Sequence, residues 1–290
     1  MSLLSPARSP HRALDPLSYR TVFIADGRAG RPQNGDDDCP FCPGGREAPA
    51  PYGAPYAFAN RWPALGEDRC EVVVHGGHES GFATMEPAQV RQVVDLWALR
   101  SRMMAGREGV RAVLVFENRG AAAGATVAHP HSQVFGLPLV PDLLRSRTQP
   151  ADCPLCRAAG EDRQVSRSPG WRTEVPSAPP SPYTVQLVPE RHVGTLAALD
   201  PDERDGLAGA LRDAVARLDQ LFGEPMPYHL WVREDTASAA GGGDHLHVVI
   251  SALLRSPGRL RILGAAEMAT GLLFTPLSPR NAAAALRDAS

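Results

Sequence analysis

The sequence predicts an α+β protein in which one unit of strands and a helix occurs twice. Two observations carry this prediction. Hydrophobic periodicity runs through strand, helix and strand in the same order in both halves. Two Cys-x-x-Cys pairs also keep matching distances to later histidines: Cys42 to His78 is 36 residues and Cys156 to His192 is 36, while His78 to His129 is 51 and His192 to His245 is 53. Long-period self-similarity of this kind marks a repeated structural unit, here expected over 13–145 and 146–290.

In the first half, "CEVVVHG" and "RAVLVFENRG" read as strands. Between them residues 86 to 105 repeat apolar positions at three and four, the helical period, and "SQVFGLPLV" gives a further strand. The second half opens its strand at "YTVQLVPE". A helix then starts at Asp200, with Pro201 and Glu203 as capping signals, and runs to about Leu221. Strands "YHLWVRE" and "HLHVVISALL" follow, and a last short helix, "RNAAAALRDA", comes after Pro279.

Composition narrows the function classes. At 290 residues, 43% hydrophobic and 21% charged, the chain has the make-up of a globular protein with one large core or two modest ones. A formal charge of -2 offers no basic field, so nucleic acid is not an expected partner. No run of eighteen apolar residues occurs, and "MSLLSPARSPHRALDP" lacks the apolar stretch of a signal peptide, so no membrane partner and a cytoplasmic location are expected.

Four of the five cysteines form the pairs Cys39/Cys42 and Cys153/Cys156; Cys70 stands alone. In a reducing compartment such pairs hold metal more often than they form disulfides. A thioredoxin-like redox motif would open a helix after a strand, whereas each pair here follows a polar loop. With the spaced histidines the halves offer Cys39, Cys42, His78 and His129, then Cys153, Cys156, His192 and His245. Both are donor sets of a closed, structural tetrahedral zinc site, so two Zn2+ per chain are expected. The plainer reading of His78 and His192 is as surface loop residues, and the matched spacing argues against it.

The segment "GATVAHPHSQVF" contains the candidate chemistry. In a strand His129, His131 and Gln133 share one face. If metal holds His129, His131 lies beside a fixed anchor. A neutral imidazole there can carry a phosphoryl or nucleotidyl group, with Gln133 donating to a phosphate oxygen. The Gly-rich run upstream lets backbone N–H groups and the Thr126 hydroxyl approach an anion, Asn118 ends the preceding strand, and Arg28 and Arg31 supply guanidinium forks. Otherwise His129, His131 and Gln133 form a polar patch on an edge strand, and either arginine alone is solvated surface.

"FENRGAAAGATVAHPHSQ" resembles the active-site segment FEN(K/R)GAAMGxSxPHPHxQ of the galactose-1-phosphate uridylyltransferase family, a branch of the histidine-triad superfamily. "DPLSYRTVFIADGRAGRP", "CPFC", "ANRWPAL", "HESGF", "HLHVVISALLRS" and "GAAEMATG" also have counterparts, so only about the first dozen residues lie outside the resemblance. It implies two fused histidine-triad-like units, antiparallel sheets with flanking helices, and a homodimer acting on a nucleotide sugar and a hexose 1-phosphate. Residue by residue it implies His131 as nucleophile, Gln133, Arg28 and Arg31 on phosphates, Asn60 on the nucleoside, and Asn118 and Thr126 near the sugar phosphate. Glu267 matches an acid that binds the hexose in the neighbouring subunit's site. The two Cys2His2 sets match zinc ligands, the second set in some relatives only.

Two positions depart from the pattern, and the second half departs from the first. Arg61 follows Asn60 where many members carry Asp. Ser132 resembles the branch that phosphorolyses ADP-glucose. His247 occupies the position equivalent to His131, but Val249 replaces the glutamine, so one working nucleophile per chain is expected. The expected activity is exchange of a nucleoside monophosphate through a nucleotidyl-histidine, with UDP-glucose as first-choice donor. ADP-glucose phosphorolysis, hydrolysis of a nucleotide conjugate, or a zinc-stabilised nucleotide-binding module without turnover are the alternatives. Phe41 and Phe58 are candidates to stack on the base.

Overall fold

A computed structural model describes residues 10–18, 20–25, 28, 39–48, 55–78, 81–145, 150–157, 160–236 and 243–289. Arg31 lies outside them. The elements are β1 (His11–Leu14), β2 (Thr21–Ile24), β3 (Tyr56–Ala59), β4 (Cys70–Val74), α1 (Pro87–Ala105), β5 (Ala112–Arg119), β6 (His131–Leu137), β7 (Gln164–Ser168), β8 (Trp171–Glu174), β9 (Thr184–Pro189), α2 (Pro201–Gln220), β10 (Tyr228–Arg233), β11 (His247–Ala252), β12 (Leu254–Ser256), β13 (Arg259–Leu260), α3 (Ala265–Thr270) and α4 (Pro279–Asp288). The strands and helices read from periodicity are all present. The hairpins β1–β2 and β12–β13, the short strands β3, β7 and β8, and α3 are additions, each too short to show a period.

Nine strands form one antiparallel sheet in the order β3-β4-β6-β5-β10-β11-β9-β8-β7. The expected separate sheets are thus joined. The seam is the β5–β10 pair, with Asn118 opposite His229 and Phe116 opposite Trp231. Left apart, β5 and β10 would each be an edge with unpaired N–H and C=O groups, and pairing removes both edges. The two halves mirror each other about this seam, β6 lying between β4 and β5 as β11 lies between β9 and β10.

Strand parity assigns the two faces. Val73, Val113, Val115 and Val134 in one half, and Val185, Leu187, Leu230, Val248 and Ile250 in the other, point to a shared core beneath Trp97 of α1 and Leu207 and Leu211 of α2. Each such burial contributes about 1.5–3 kcal/mol, so this layer dominates stability. The ion pairs Arg91–Asp205 (2.6 Å) and Arg204–Asp95 (3.0 Å) join α1 to α2 but are partly exposed, and such pairs add at most about 1 kcal/mol each. Both long helices start at capping boxes. In α2 the Glu203 N–H donates to Asp200 at 2.9 Å and the Asp200 N–H to Glu203 at 2.9 Å, as the sequence predicts.

Residues of the opposite parity, including His131, Gln133, Asn118, Trp231 and His247, face away from the helices. That face is left for function.

Candidate active site

β6 begins at His131, so His129 lies just before the strand and not within it. Pro130 separates them; with no N–H it cannot donate to a ladder, and its carbonyl instead accepts from the His75 N–H at 3.1 Å. His129 is thereby released to turn its ring toward the cysteines while its carbonyl stays beside His131.

The His131 Nδ1–H donates to the His129 carbonyl at 2.7 Å. This bond sets the tautomer, so Nε2 carries the lone pair. The ring is 6% exposed and meets Phe41 edge-on, with centroids 5.0 Å apart. Phe41 also meets Phe58 at 5.6 Å, and these rings pack with Val72, Val74 and Val127 in a small cluster on the open face. Phe41 thus packs against the imidazole itself.

Gln133 is oriented by a chain of hydrogen bonds. The Trp62 N–H donates to Asn60 Oδ1 (2.8 Å), which directs Asn60 Nδ2 to Gln133 Oε1 (3.2 Å). Gln133 therefore presents its carbonyl to Asn60 and keeps its N–H donors for another partner. Arg28 donates to the Trp62 carbonyl at 2.9 Å and so joins the same chain. Both polar ends of Asn60 are engaged inside the protein. Arg61 lies over the Trp62 ring, 5.9 Å from its centroid.

A cavity of about 910 Å³ opens beside His131, with Asn118, Gly120, Ala125 and Ala128 on its wall. The Gly-Ala run forms one 3-10 turn at 121–123 between Gly120 (φ 84°) and Gly124 (φ 80°), left-handed values that glycine adopts without strain. The N–H groups of Ala123, Gly124 and Ala125 are used within this turn. Thr126 Oγ1 is buried without a partner among the described residues. From the other half, His229 donates to the Ala123 carbonyl at 3.1 Å and pins the turn.

Behind the site lie polar groups of which two, His75 and Glu117, carried no sequence signal. Ser132 faces the helix side, where the Trp97 indole N–H reaches its hydroxyl at 2.6 Å and His75 Nε2 lies at 3.0 Å. It does not face the substrate side. Burial lowers the His75 pKa to about 3, so this histidine stays neutral. On the same side Tyr228 donates to Glu117 at 3.1 Å, and burial raises the Glu117 pKa to about 8.

Each predicted Cys2His2 set comes together, with its four donor atoms within 4.8 Å of one another. In the first, Cys42 Sγ lies 3.4 Å from His78 Nδ1 and 3.5 Å from His129 Nδ1, and Cys39 Sγ lies 3.6 Å from His129 Nδ1. In the second, Cys153 and Cys156 lie 3.5 and 3.6 Å from His245 Nδ1, and Cys156 lies 3.1 Å from His192 Nδ1. A tetrahedral ion with ordinary zinc bond lengths separates sulfur from nitrogen by roughly 3.5 Å, so both sets fit. The outer nitrogens agree. His129 Nε2–H donates to the Gly76 carbonyl (2.7 Å) and His245 Nε2–H to that of Pro189 (3.0 Å), which leaves both Nδ1 atoms deprotonated toward the sulfurs.

Glu267 lies on α3, away from the His131 cavity, on a separate cavity of about 430 Å³. Its carboxylate accepts from the N–H groups of Phe274 (2.9 Å) and Gly264 (2.8 Å) and pairs with Arg261, and these bonds hold its pKa down at about 2.

A duplicated α+β unit, each copy with a Cys2His2 cluster and a histidine tied to the carbonyl two residues before it, defines a fused double histidine-triad architecture. Residues 68–141 match the family model for the N-terminal domain of galactose-1-phosphate uridyl transferase. The chain is 28% identical to a galactose-1-phosphate uridylyltransferase of Thermotoga maritima, over 94% of this chain and 96% of that one. It superimposes on a solved uridylyltransferase with a TM-score of 0.82 at 25% identity, covering 97% and 98% of the two chains. An ADP-glucose phosphorylase from Arabidopsis thaliana, solved with bound ADP-glucose, shares the fold at a TM-score of 0.77 and 24% identity over 97% and 100%. Over nearly its whole length the chain is thus similar to galactose-1-phosphate uridylyltransferases.

Proposed function

We propose that the chain is a hexose-1-phosphate uridylyltransferase working by double displacement. His131 Nε2 attacks the α-phosphorus of UDP-glucose, the bond to the bridging oxygen breaks, and glucose 1-phosphate leaves. A second hexose 1-phosphate then attacks the uridylyl-histidine and restores the imidazole. The observation that carries this reading is the Nδ1–H bond of His131 to the His129 carbonyl, which aims a lone pair from Nε2 and stabilises the positive ring formed on attack. Gln133, oriented by Asn60, donates to a non-bridging oxygen as charge shifts there. Arg28 and Arg31 serve the phosphates, and Asn118 and Thr126 the sugar phosphate.

The two units are 13–145 and 146–290. Cys39, Cys42, His78 and His129 hold one structural Zn2+, and Cys153, Cys156, His192 and His245 a second. Bound zinc ties the cysteine loop of each half to the start of its last strand. No described helix is long and apolar enough to cross a membrane, and the reading keeps the protein in the cytoplasm. A homodimer is supported by the apolar side chains exposed around α3, with Ile262 77%, Leu272 64% and Phe274 63% exposed. Glu267 belongs to this segment and serves the hexose across the interface.

ADP-glucose phosphorolysis is the second reading. Arg61, turned onto Trp62, offers no acceptor at the ribose and favours it. Ser132 does not bear on the choice, because its hydroxyl is spent on Trp97 and His75. The test is to mix the protein with donor alone and weigh it. One UMP on the wild type and none on His131→Asn is expected, with donor binding by the variant kept within about tenfold. Absence of an adduct, or normal turnover by the variant, removes the covalent mechanism.

A further inference from the structure

The second half repeats the geometry of the site with different chemistry. His247 opens β11 as His131 opens β6, and its Nδ1–H donates to the His245 carbonyl at 2.8 Å. Its Nε2 therefore carries the lone pair as well. The neighbours differ. Arg233 is directly opposite His247, the place that Asn118 takes beside His131 when the β5–β6 ladder is extended one step from Glu117 and Ser132. Val249 stands where Gln133 does.

A cavity of about 370 Å³ lies here, its wall including His247, Arg233, Asp244, Leu143 and Leu155. Most charges around it are already matched. Asp142 is paired with Arg145 at 3.1 Å, and Glu174 with Arg172 at 3.0 Å. The Arg233 guanidinium and the Asp244 carboxylate attract each other through space, but among the described residues neither makes a side-chain hydrogen bond, nor an ion pair within 4.0 Å. Arg233 is half-buried, so its fork has lost water without gaining a hydrogen-bonded acceptor, and Asp244 offsets that loss only in part. Such a group stores binding energy for an anion.

We propose that this cavity binds a phosphorylated monosaccharide reversibly and without reaction. The phosphate accepts from the Arg233 fork. Sugar hydroxyls donate to the Asp244 carboxylate and to His247 Nε2, while Leu155 and Leu143 cover the apolar face of the ring. A site that offered only a guanidinium would suit any small anion, but an acceptor pair beside it selects a ligand that also carries hydroxyl donors. The space is less than half that at His131, enough for one sugar phosphate and short for a nucleotide sugar. Val249 offers no donor to a charge forming at phosphorus, so transfer is not supported here. Binding at this cavity does not depend on transfer at His131.

Calorimetric titration of the zinc-loaded full chain with glucose 1-phosphate, beside inorganic phosphate, tests this. Arg233→Gln is expected to lose one equivalent of glucose 1-phosphate relative to wild type while keeping its zinc content and its uridylyl adduct on His131. Asp244→Asn is expected to weaken glucose 1-phosphate at least about tenfold and leave inorganic phosphate unchanged. Unchanged stoichiometry in Arg233→Gln overturns the site. Equal affinity for inorganic phosphate and glucose 1-phosphate at the Arg233-dependent site overturns the sugar assignment.

Discussion

Asn60 gives the sharpest test of how the site is built, because Asn60→Ala and Asn60→Asp are expected to rank in opposite orders for stability and for rate. Asn60 is 6% exposed; it accepts from the Trp62 N–H and donates to Gln133 Oε1. Alanine removes both bonds and orphans a donor and an acceptor, a loss of about 2–4 kcal/mol of stability. The freed Gln133 amide can still donate to phosphate but must be ordered first. That costs about 1.5–2 kcal/mol for a glutamine side chain, so kcat is expected to fall about ten- to thirtyfold. Aspartate keeps the acceptor for Trp62, so unfolding in urea is expected to show a smaller stability loss than in the alanine variant. Its carboxylate cannot donate to Gln133 Oε1. It draws the Gln133 N–H groups instead, turning the amide carbonyl toward the phosphate. Loss of a donor aimed at developing charge costs about a hundred- to a thousandfold in kcat. Stopped-flow formation of the nucleotidyl-histidine, with donor affinity measured separately in a His131→Asn background, separates the two effects. If aspartate is milder than alanine in rate as well, Asn60 does not orient Gln133. If both variants lose donor affinity and keep the rate of the bound step, Asn60 contacts the nucleoside.

Three further outcomes are expected. Cys39→Ser is expected to lose one of two zinc ions by elemental analysis and to destabilise the half carrying His131; zinc-free protein prepared with zinc present refutes both sites. Burial raises Glu117 to about 8 and Glu234 to about 7, above their unfolded value of 4.5. Each therefore contributes fully below about pH 4.5 and loses that contribution as pH rises through its folded value, so Glu117→Gln is expected to flatten a decline in unfolding free energy between pH 5 and 8. UDP-glucose and ADP-glucose are expected to differ at least about a hundredfold in kcat/KM, in favour of UDP-glucose; a preference for ADP-glucose reverses the choice of donor.

What the sequence by itself determined is local or repeated. Strands such as Cys70–Val74 and helices such as Pro201–Gln220 announce themselves through a side-chain period set by their own backbone geometry. The Cys2His2 sets were legible because duplication wrote the same spacing twice, and His131 because its segment resembles a family motif. Only the tertiary structure decided how these pieces share partners. Nothing in "YHLWV" announces that His229 holds the Ala123 turn of the other half, since that contact depends on β10 pairing with β5. Nor does alternation along β6 show that Ser132 is spent on Trp97 while Gln133 is aimed by Asn60. A period tells which residues share a face, but which partner lies on that face is set by strand order and register, through contacts between residues far apart in the chain.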